Sequence, residues 1–344
     1  MHIPDGYMSP QTAGGLWALM VPVWYVAGHK VKRALRARQA PLVAIGAAFT
    51  FVIMMFNVPV PGGTSGHAVA GTLVAVILGP WAAVISISVA LVIQSLFFGD
   101  GGILAIGANC FNMAFALPVT GYYVYRLLAA GSAPAGSRRW LAAGAGAFAG
   151  INVAALLTAV EIGIQPALFH TSDGAALYSP YGLSQTIPAM MLSHLTVVGF
   201  IEAAVTSLAV LYLQRTNPAL LLNEQAQGEQ AAGKFRLKPL IIGLLLLVVF
   251  VPLGLIASAT AWGEWSPEEI RDRFGFVPAG MERFAGLWGG ILPGYGARES
   301  FWASSTGYAV SAILGLLVVG GLAYLAARLI SRRDGRRESR GGNG

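Results

Sequence analysis

The first two residues of the chain place three nitrogen donors within reach of one metal ion. The donors are the α-amine of Met1, the backbone amide nitrogen of His2 and the imidazole Nδ1 of His2. Binding through amine and amide closes a five-membered ring, and binding through amide and imidazole closes a six-membered ring. This planar, all-nitrogen set suits Ni²⁺ or Cu²⁺ far better than Zn²⁺, Mg²⁺ or Ca²⁺. The chelate needs a free α-amine, and Pro4-Asp5-Gly6 predicts a turn that folds the end of the chain back rather than leaving it loose.

A square-planar site needs a fourth donor, which another histidine could supply. His67 ends the Gly-rich stretch 57–67, which can bend sharply and let the backbone approach a ligand closely. From the residues alone, His67 is explained equally well as a ligand or as a histidine that caps a turn between helices. The other histidines differ in where the predicted topology places them: His170 in the outer loop 161–185, where it stays possible, His194 within a span and His29 at the cytoplasmic end of the first span.

Polar residues near these donors could support them. Asp100, in Gly99-Asp100-Gly101-Gly102, is predicted either to orient a ligand histidine through its second ring nitrogen or to be a solvated turn residue. Asn57 and Ser65, in the same loop as His67, are further candidates for a supporting role. Polar residues within apolar runs are expected to face the bundle interior, where they line the site or pack between helices: Gln94, Ser95, Asn109, Asn112, Glu161 and Glu202.

The composition indicates a membrane protein that carries these residues. Of 344 residues, 56% are hydrophobic and only 11% are charged, whereas a soluble domain has about 25% charged residues. The net charge of +7 does not indicate nucleic-acid binding, because the basic residues lie in short loops between apolar runs. We expect a lipid bilayer around the chain and no nucleic-acid partner. Nine apolar runs are found, at 12–28, 41–60, 68–79, 81–98, 103–128, 140–160, 186–213, 239–258 and 307–330.

The basic residues predict the topology. The runs 68–79 and 81–98 are short and meet at Gly79-Pro80, so they form either one kinked helix or two helices. Only two crossings there put all four basic clusters on one side of the membrane, as the positive-inside rule requires. We therefore predict nine spans, with the N-terminus outside and the C-terminus in the cytoplasm. No segment at the start has the charge and length of a cleavable leader, and the bulky His2 should let Met1 survive.

The predicted fold is an all-α polytopic membrane protein with a seven-helix bundle and a C-terminal two-helix hairpin. The predicted divisions are a seven-span module at 1–215, a polar cytoplasmic linker at 216–238, a two-span module at 239–330 with an outer loop at 259–306, and a basic disordered tail at 331–344. Pro and Gly residues in the outer loop indicate turns rather than one long helix.

The sequence gives no positive case for an enzyme. The stretch 228–235 nearly matches a phosphate-binding loop, but it lacks the Ser or Thr that would bind Mg²⁺ and no strand precedes it. The single cysteine, Cys110, allows no intrachain disulfide. No nucleophile with a paired base is apparent. We therefore expect a protein without an ATPase of its own.

The N-terminal stretch Met1-His2-Ile3-Pro4-Asp5-Gly6-Tyr7-Met8-Ser9-Pro10, with the stretch 57–67, resembles the CbiM/NikM family over about 1–215. These proteins are the substrate-capture subunits of energy-coupling factor transporters for cobalt and nickel. The resemblance implies that Met1, His2 and His67 bind the metal. It also implies a transmembrane coupling subunit and cytoplasmic ATP-binding subunits as partners, at the plasma (inner) membrane. The hairpin 239–330 is similar to the small NikN/CbiN-like partner, although the PDGLE string of that module is absent.

The expected cargo is therefore Ni²⁺ or Co²⁺, with nickel favoured because the planar nitrogen set fits Ni²⁺. Cobalt uptake for cobalamin synthesis is the alternative within the family. A metal-sensing or structural membrane subunit without transport activity is the alternative outside it. A proton-coupled carrier would need ionisable residues near the bilayer midplane, and the chain offers few beyond Glu202.

Overall fold

A computed structural model describes residues 1–34, 40–133, 135–221, 237–257, 259–292 and 301–332. Helices dominate this part of the chain: α1 (Pro10–Ala34), α2 (Ala40–Met54), α3 (Gly71–Leu78), α4 (Pro80–Ile93), α5 (Ile106–Asn109), α6 (Leu117–Leu128), α7 (Ser137–Gly163), α8 (Gln165–Leu168), α9 (Leu183–Ser193), α10 (Gly199–Thr216), α11 (Leu237–Phe250), α12 (Pro267–Phe274), α13 (Ala279–Phe284) and α14 (Phe301–Arg332). Two short strands, β1 (Val58–Val60) and β2 (Thr64–Gly66), form an antiparallel hairpin.

Several α-helices are followed by short segments of π-helix or 3₁₀-helix. Stretches of π-helix follow α4, α5 and α9, at Gln94–Phe98, Cys110–Ala116 and His194–Val198. Shorter 3₁₀ turns lie at Pro218–Leu220 and Val251–Ile256. π-Helical turns are rare and are often found at functional sites. Here all three adjoin or contain candidate residues, because Asp100 follows the first closely, Asn109 directly precedes the second and His194 begins the third.

Five helical stretches are long and apolar enough to cross a membrane: Pro80–Phe98, Ser137–Leu168, Leu183–Thr216, Leu237–Ile256 and Ser305–Ile330. The prediction of an all-α, multi-pass membrane protein is therefore confirmed. The other predicted spans lie in α1, in α2, in α3 and in the stretch from α5 to α6. α2 has only 15 residues, about 22 Å of helix, against a hydrocarbon core of about 30 Å. The number of nine crossings and their orientation stay predictions.

The two short runs around Gly79 form separate helices. α3 has 8 residues, which is about 12 Å, and it packs against α4, which follows it directly. Gly79 joins them with φ of 86°, a backbone conformation that favours glycine. The stretch before α3 is irregular but buried, with Val69 and Ala70 fully inside the protein. Irregular backbone at membrane depth is tolerated where protein surrounds it.

Glycines allow the central helices to approach closely. α6 and α7 pack along one another, with Gly146 and Gly150 of α7 against the backbone of Gly121 and Leu117 of α6. A side chain at either glycine would meet backbone atoms of the neighbouring helix. Small residues at such contacts are typical of helix packing in membranes. Gly146 and Gly150 therefore have a packing role in the bundle.

The C-terminal helices lie against the bundle instead of forming a detached hairpin. α14 packs mainly along α2, with further contacts to α4 and α1, whereas α11 contacts both α2 and α14. The ring of Phe51 in α2 lies directly over Gly315 of α14. The segment between α11 and α14 contains the short helices α12 and α13, where the sequence predicted turns rather than one long helix. α14 already begins at Phe301, inside the predicted loop.

Some sequence-based predictions lie outside the described residues. They concern the stretch 228–235, most of the linker 216–238, part of the outer loop 259–306, and the tail 331–344 beyond Arg332.

Candidate metal centre

The N-terminal segment is buried in the protein. Met1, His2 and Ile3 are 6%, 2% and 0% exposed. The side chain of Asn109 bonds to both backbone polar groups of Ile3. Its Oδ1 accepts from the Ile3 N–H at 2.8 Å, and its Nδ2 donates to the Ile3 carbonyl at 3.2 Å. Gly102 N–H donates to the same carbonyl at 2.9 Å. The residue next to His2 is therefore held by three hydrogen bonds.

The following residues are also tied down. The Asp5 carboxylate accepts from the backbone N–H groups of Ile103 and Leu104, each at 2.9 Å. Burial raises the pKa of Asp5, while these backbone bonds act in the opposite direction. Gly6 has φ of 93° and lies against the backbone of Met281. The predicted turn at this point therefore folds the chain end back into the protein.

Two carboxylates contact the three nitrogens of the predicted chelate. Glu264 Oε1 accepts from the α-ammonium of Met1 at 2.9 Å and from the His2 backbone N–H at 3.0 Å. Asp100 Oδ1 lies 2.6 Å from His2 Nδ1. Although burial raises the pKa of Asp100, the nearby His2 outweighs it and lowers that pKa below its ordinary value. The other ring nitrogen of His2, Nε2, is buried and has no hydrogen-bond partner in the described part of the chain.

This geometry differs in one respect from the sequence-based expectation for Asp100. The residue does lie beside His2, but it contacts Nδ1, the atom that the chelate needs, rather than the second ring nitrogen. Glu264 was not anticipated at all. Its place between Trp262 and Trp265 is a signal in the sequence that could have drawn attention to it.

His67 lies beside His2 with its ring buried. The two ring centroids are 5.2 Å apart, with the rings edge to face. His67 Nδ1 is 3.1 Å from the Ala68 carbonyl. Burial first, and then the neighbouring His2 and α-amine, lower the pKa of His67 to about 3. Its imidazole is therefore neutral at physiological pH, which is the form that binds a metal.

The β1–β2 hairpin and the turn after it position His67. Gly62 and Gly63 in the hairpin loop have φ of 96° and 71°, which favours glycine at both positions. Beyond His67, Ala70 also has a positive φ, of 58°. Glu202 of α10 stabilises this turn, since its Oε2 accepts from Val69 N–H at 2.7 Å and from Ala70 N–H at 2.9 Å.

The other predicted candidates lie elsewhere or have other partners. The Asn57 side chain bonds to Tyr308 of α14, and the backbone of Ser65 pairs with Ala261. His194 is buried, and its Nδ1 lies 2.7 Å from the Met190 carbonyl. The remaining two histidines have other partners: His29 Nδ1 lies 3.0 Å from the Tyr25 carbonyl in α1, and His170, which is exposed, has its Nδ1 3.0 Å from the Thr171 carbonyl.

The chemistry available at this site rests on nitrogen atoms. No group of three or more His, Cys, Asp or Glu side chains suited to a metal ion occurs within the described ranges. Two backbone nitrogens and two imidazoles instead meet in one buried place, with two carboxylates around them. Fold and site together define a class of protein, an α-helical multi-pass membrane protein with its N-terminus folded into a candidate metal centre.

Comparison with known families identifies the family. Residues 2–220 match the CbiM family, described as "Cobalt uptake substrate-specific transmembrane region". The chain belongs to this family, as the sequence resemblance predicted. The match ends close to the predicted boundary at 215.

Relatives extend the similarity over the C-terminal helices. A fused nickel transport protein NikMN from Rhodobacter capsulatus is 48% identical, over 97% of this chain and 100% of that protein. A probable fused nickel transport protein LarMN from Lactiplantibacillus plantarum is also 48% identical, over 79% of this chain and 80% of its own. A cobalt transport protein CbiM from Acetohalobium arabaticum is 31% identical, over 47% of this chain and 64% of that protein. The chain is thus a CbiM/NikM-type unit fused to a NikN-like module.

Solved structures agree with the fold. The crystal structure of a transition metal transporter aligns with 68% of this chain over 100% of its own length, with 52% identity and a TM-score of 0.61. The crystal structure of a truncated transition metal transporter aligns with 62% of this chain over 99% of its own length, with 55% identity and a TM-score of 0.59.

Proposed function

We propose that this protein captures Ni²⁺ from outside the cell as the metal-binding membrane subunit of an ATP-driven energy-coupling factor importer. The ligands are the α-amine of Met1, the amide nitrogen and Nδ1 of His2, and the ring of His67. One observation carries the proposal: the N-terminus is buried, with the three donor nitrogens of Met1 and His2 beside the ring of His67, 5.2 Å from that of His2. Met1 must be the first residue of the mature protein, which intact mass spectrometry checks.

Metal binding requires a small rearrangement of the site. The α-amine and the amide N–H must give up their bonds to Glu264, and Nδ1 of His2 must leave Asp100. Half a turn of the His2 ring about its Cβ–Cγ bond would release Nδ1 and move Nε2 toward Asp100. Asp100 would then hold the second ring nitrogen of a ligand histidine, a common arrangement at metal sites.

Nickel is favoured over cobalt on two grounds. The planar nitrogen set suits Ni²⁺. The relatives that share 48% identity are named as nickel transport proteins, whereas the cobalt transport protein shares 31% over a shorter stretch. Cobalt uptake for cobalamin synthesis is the alternative within the same site.

The proposal includes the topology and the partners. The metal site lies at the outer end of the bundle, with the N-terminus outside and the C-terminus in the cytoplasm of a multi-pass inner-membrane protein. Residues 1–215 form the capture module and 239–330 the NikN/CbiN-like module. A separate transmembrane coupling subunit and cytoplasmic ATP-binding subunits drive transport, because the described residues offer no ATPase motif of their own.

Uptake of radioactive ⁶³Ni²⁺ by cells tests the function. Cells that express this protein with the coupling and ATP-binding subunits should accumulate nickel, and a version with an inactive ATPase should not. Accumulation that persists without an active ATPase indicates a secondary carrier. Metal binding without accumulation, in the presence of all partners, indicates a sensing or structural subunit.

A further inference from the structure

Glu264 links the C-terminal module to two of the nitrogens that we propose as metal ligands. One oxygen, Oε1, accepts from both the Met1 ammonium and the His2 backbone N–H, at 2.9 and 3.0 Å. The contact joins distant parts of the chain, because Glu264 and Met1 have a sequence separation of 263. The Glu264 side chain is 20% exposed, so it is largely screened from water. These features make it a candidate for a role beyond packing.

The loop that carries Glu264 is ordered on both sides of it. Before Glu264, Ala261 forms a parallel bridge with Ser65, next to the His67 loop. After it, the Trp265 carbonyl accepts from the Tyr7 hydroxyl at 2.9 Å. The Glu264 N–H closes a turn onto the Ala261 carbonyl at 3.1 Å. The carboxylate is therefore presented to the N-terminus by a loop attached to both halves of the metal site.

A metal ion at the amide nitrogen of His2 and the observed Glu264 contact exclude one another. An amide nitrogen is planar, so a metal that replaces its hydrogen lies along the former N–H direction. A nitrogen bonded to a divalent metal is about 2 Å from it. Glu264 Oε1 accepts this hydrogen, 3.0 Å from the nitrogen, and it also accepts from the Met1 ammonium. A metal ion that takes the place of these hydrogens therefore removes the two hydrogen bonds of Glu264.

We propose that Glu264 and the metal ion compete for the Met1 and His2 nitrogens, so that metal binding releases the outer loop of the C-terminal module. This inference rests on the proposed metal site. Glu264 holds the two nitrogens in place in the metal-free protein and leaves when the ion arrives. Coupling between two such contacts is reciprocal: the ion weakens the loop contact, and removal of the contact strengthens binding of the ion.

The test combines nickel affinity with hydrogen exchange of the outer loop. The full chain, purified in detergent, is titrated with Ni²⁺ as wild type, Glu264→Ala and Glu264→Gln. Glu264→Ala should bind Ni²⁺ roughly 5- to 150-fold more tightly, the usual range of such coupling. Glu264→Gln should lie between, because a neutral acceptor binds an ammonium less strongly than a carboxylate. It also keeps the size of the side chain, in case the alanine variant fails to fold.

The control is Glu282→Ala, which removes an exposed carboxylate of the same outer segment and should leave affinity unchanged. Saturating Ni²⁺ should speed backbone hydrogen exchange in residues 259–274 of the wild type. In Glu264→Ala, exchange there should be fast with or without metal.

The outcomes separate two failures. If the wild type binds Ni²⁺ but both Glu264 variants bind it equally or less tightly, competition is refuted while the metal site stands. Metal-independent exchange of the loop in the wild type also refutes competition. If the wild type does not bind Ni²⁺ through Met1 and His2, the proposed function and this inference both fail.

Discussion

Replacement of Asn109 by alanine should weaken nickel binding without touching a ligand. Asn109 makes two hydrogen bonds to the backbone of Ile3, the residue directly after the chelate. In the proposed metal-bound state, Glu264 no longer contacts the Met1 and His2 nitrogens, and Nδ1 of His2 no longer contacts Asp100. Asn109 and Gly102 then still hold Ile3, the residue directly after the chelate, in place.

The size of the effect follows from the groups left without partners. Without Asn109, the buried N–H of Ile3 has no acceptor, which costs about 1–3 kcal/mol. The Ile3 carbonyl keeps its bond from Gly102 at 2.9 Å, so the second lost bond should matter less. If this free-energy cost destabilises only the metal-binding state, in which the N-terminus is buried, the Kd for Ni²⁺ rises roughly 5- to 150-fold.

The assay is calorimetric or fluorescence titration of detergent-purified protein with Ni²⁺. Asn152→Ala is the matched control, because Asn152 is also a buried asparagine but donates to the Phe148 carbonyl of its own helix at 2.8 Å. It should leave nickel affinity unchanged. An Asn109→Ala protein that stays monodisperse and binds nickel as tightly as wild type would show that docking of Ile3 does not control the site.

Two further predictions concern the fourth ligand and pH. His67→Ala should weaken nickel binding at least about 100-fold, as expected when a direct metal ligand is lost, whereas His170→Ala should have no effect; equal affinities in a parallel titration would remove His67 from the ligand set. Nickel affinity should rise with pH, because the Met1 ammonium and the His2 amide must lose protons, by about tenfold per pH unit for each proton released. His67 should add no proton competition near neutral pH, since burial and its neighbours lower its pKa well below the ordinary value for histidine. Titrations between about pH 6 and about pH 8 that give a constant affinity would contradict a chelate through the amide nitrogen.

The parts of the site that the sequence predicted are those set by covalent neighbours. Met1 and His2 are adjacent, so covalent spacing alone puts their three nitrogens within reach of one metal ion. His67 was a candidate because a Gly-rich stretch before it permits a sharp turn, and the structure brings its ring beside His2. Their assignment as ligands stays a prediction.

Contacts between distant parts of the chain were harder to predict. Asp100 and Glu264 reach the N-terminus only because two loops converge on it, and no local pattern encodes that convergence. Glu202 illustrates the same limit. Its position in an apolar run indicated a buried polar contact, but only the tertiary structure reveals that it stabilises the left-handed turn at Ala70.

The fold was predictable at the level of class because helical membrane spans have a strong hydrophobic signal. The division of α3 from α4 was left open by that signal and depended on Gly79. The close packing of α14 along α2 has no counterpart in hydropathy, since both helices are apolar on most faces. The sequence showed only a polar linker between the two modules, whereas in the structure the two-span module contacts both the bundle and the N-terminus.

The most direct test of the central claim is a nickel titration of two versions of the protein, both tagged only at the C-terminus. One begins at Met1, and the other carries one extra residue ahead of His2, so that the α-amine is displaced. The account predicts that the native end binds one Ni²⁺ tightly and that the extended end does not. Equal affinity of the two versions would contradict the N-terminal chelate and place the site elsewhere, with His170 and His194 as the next candidates.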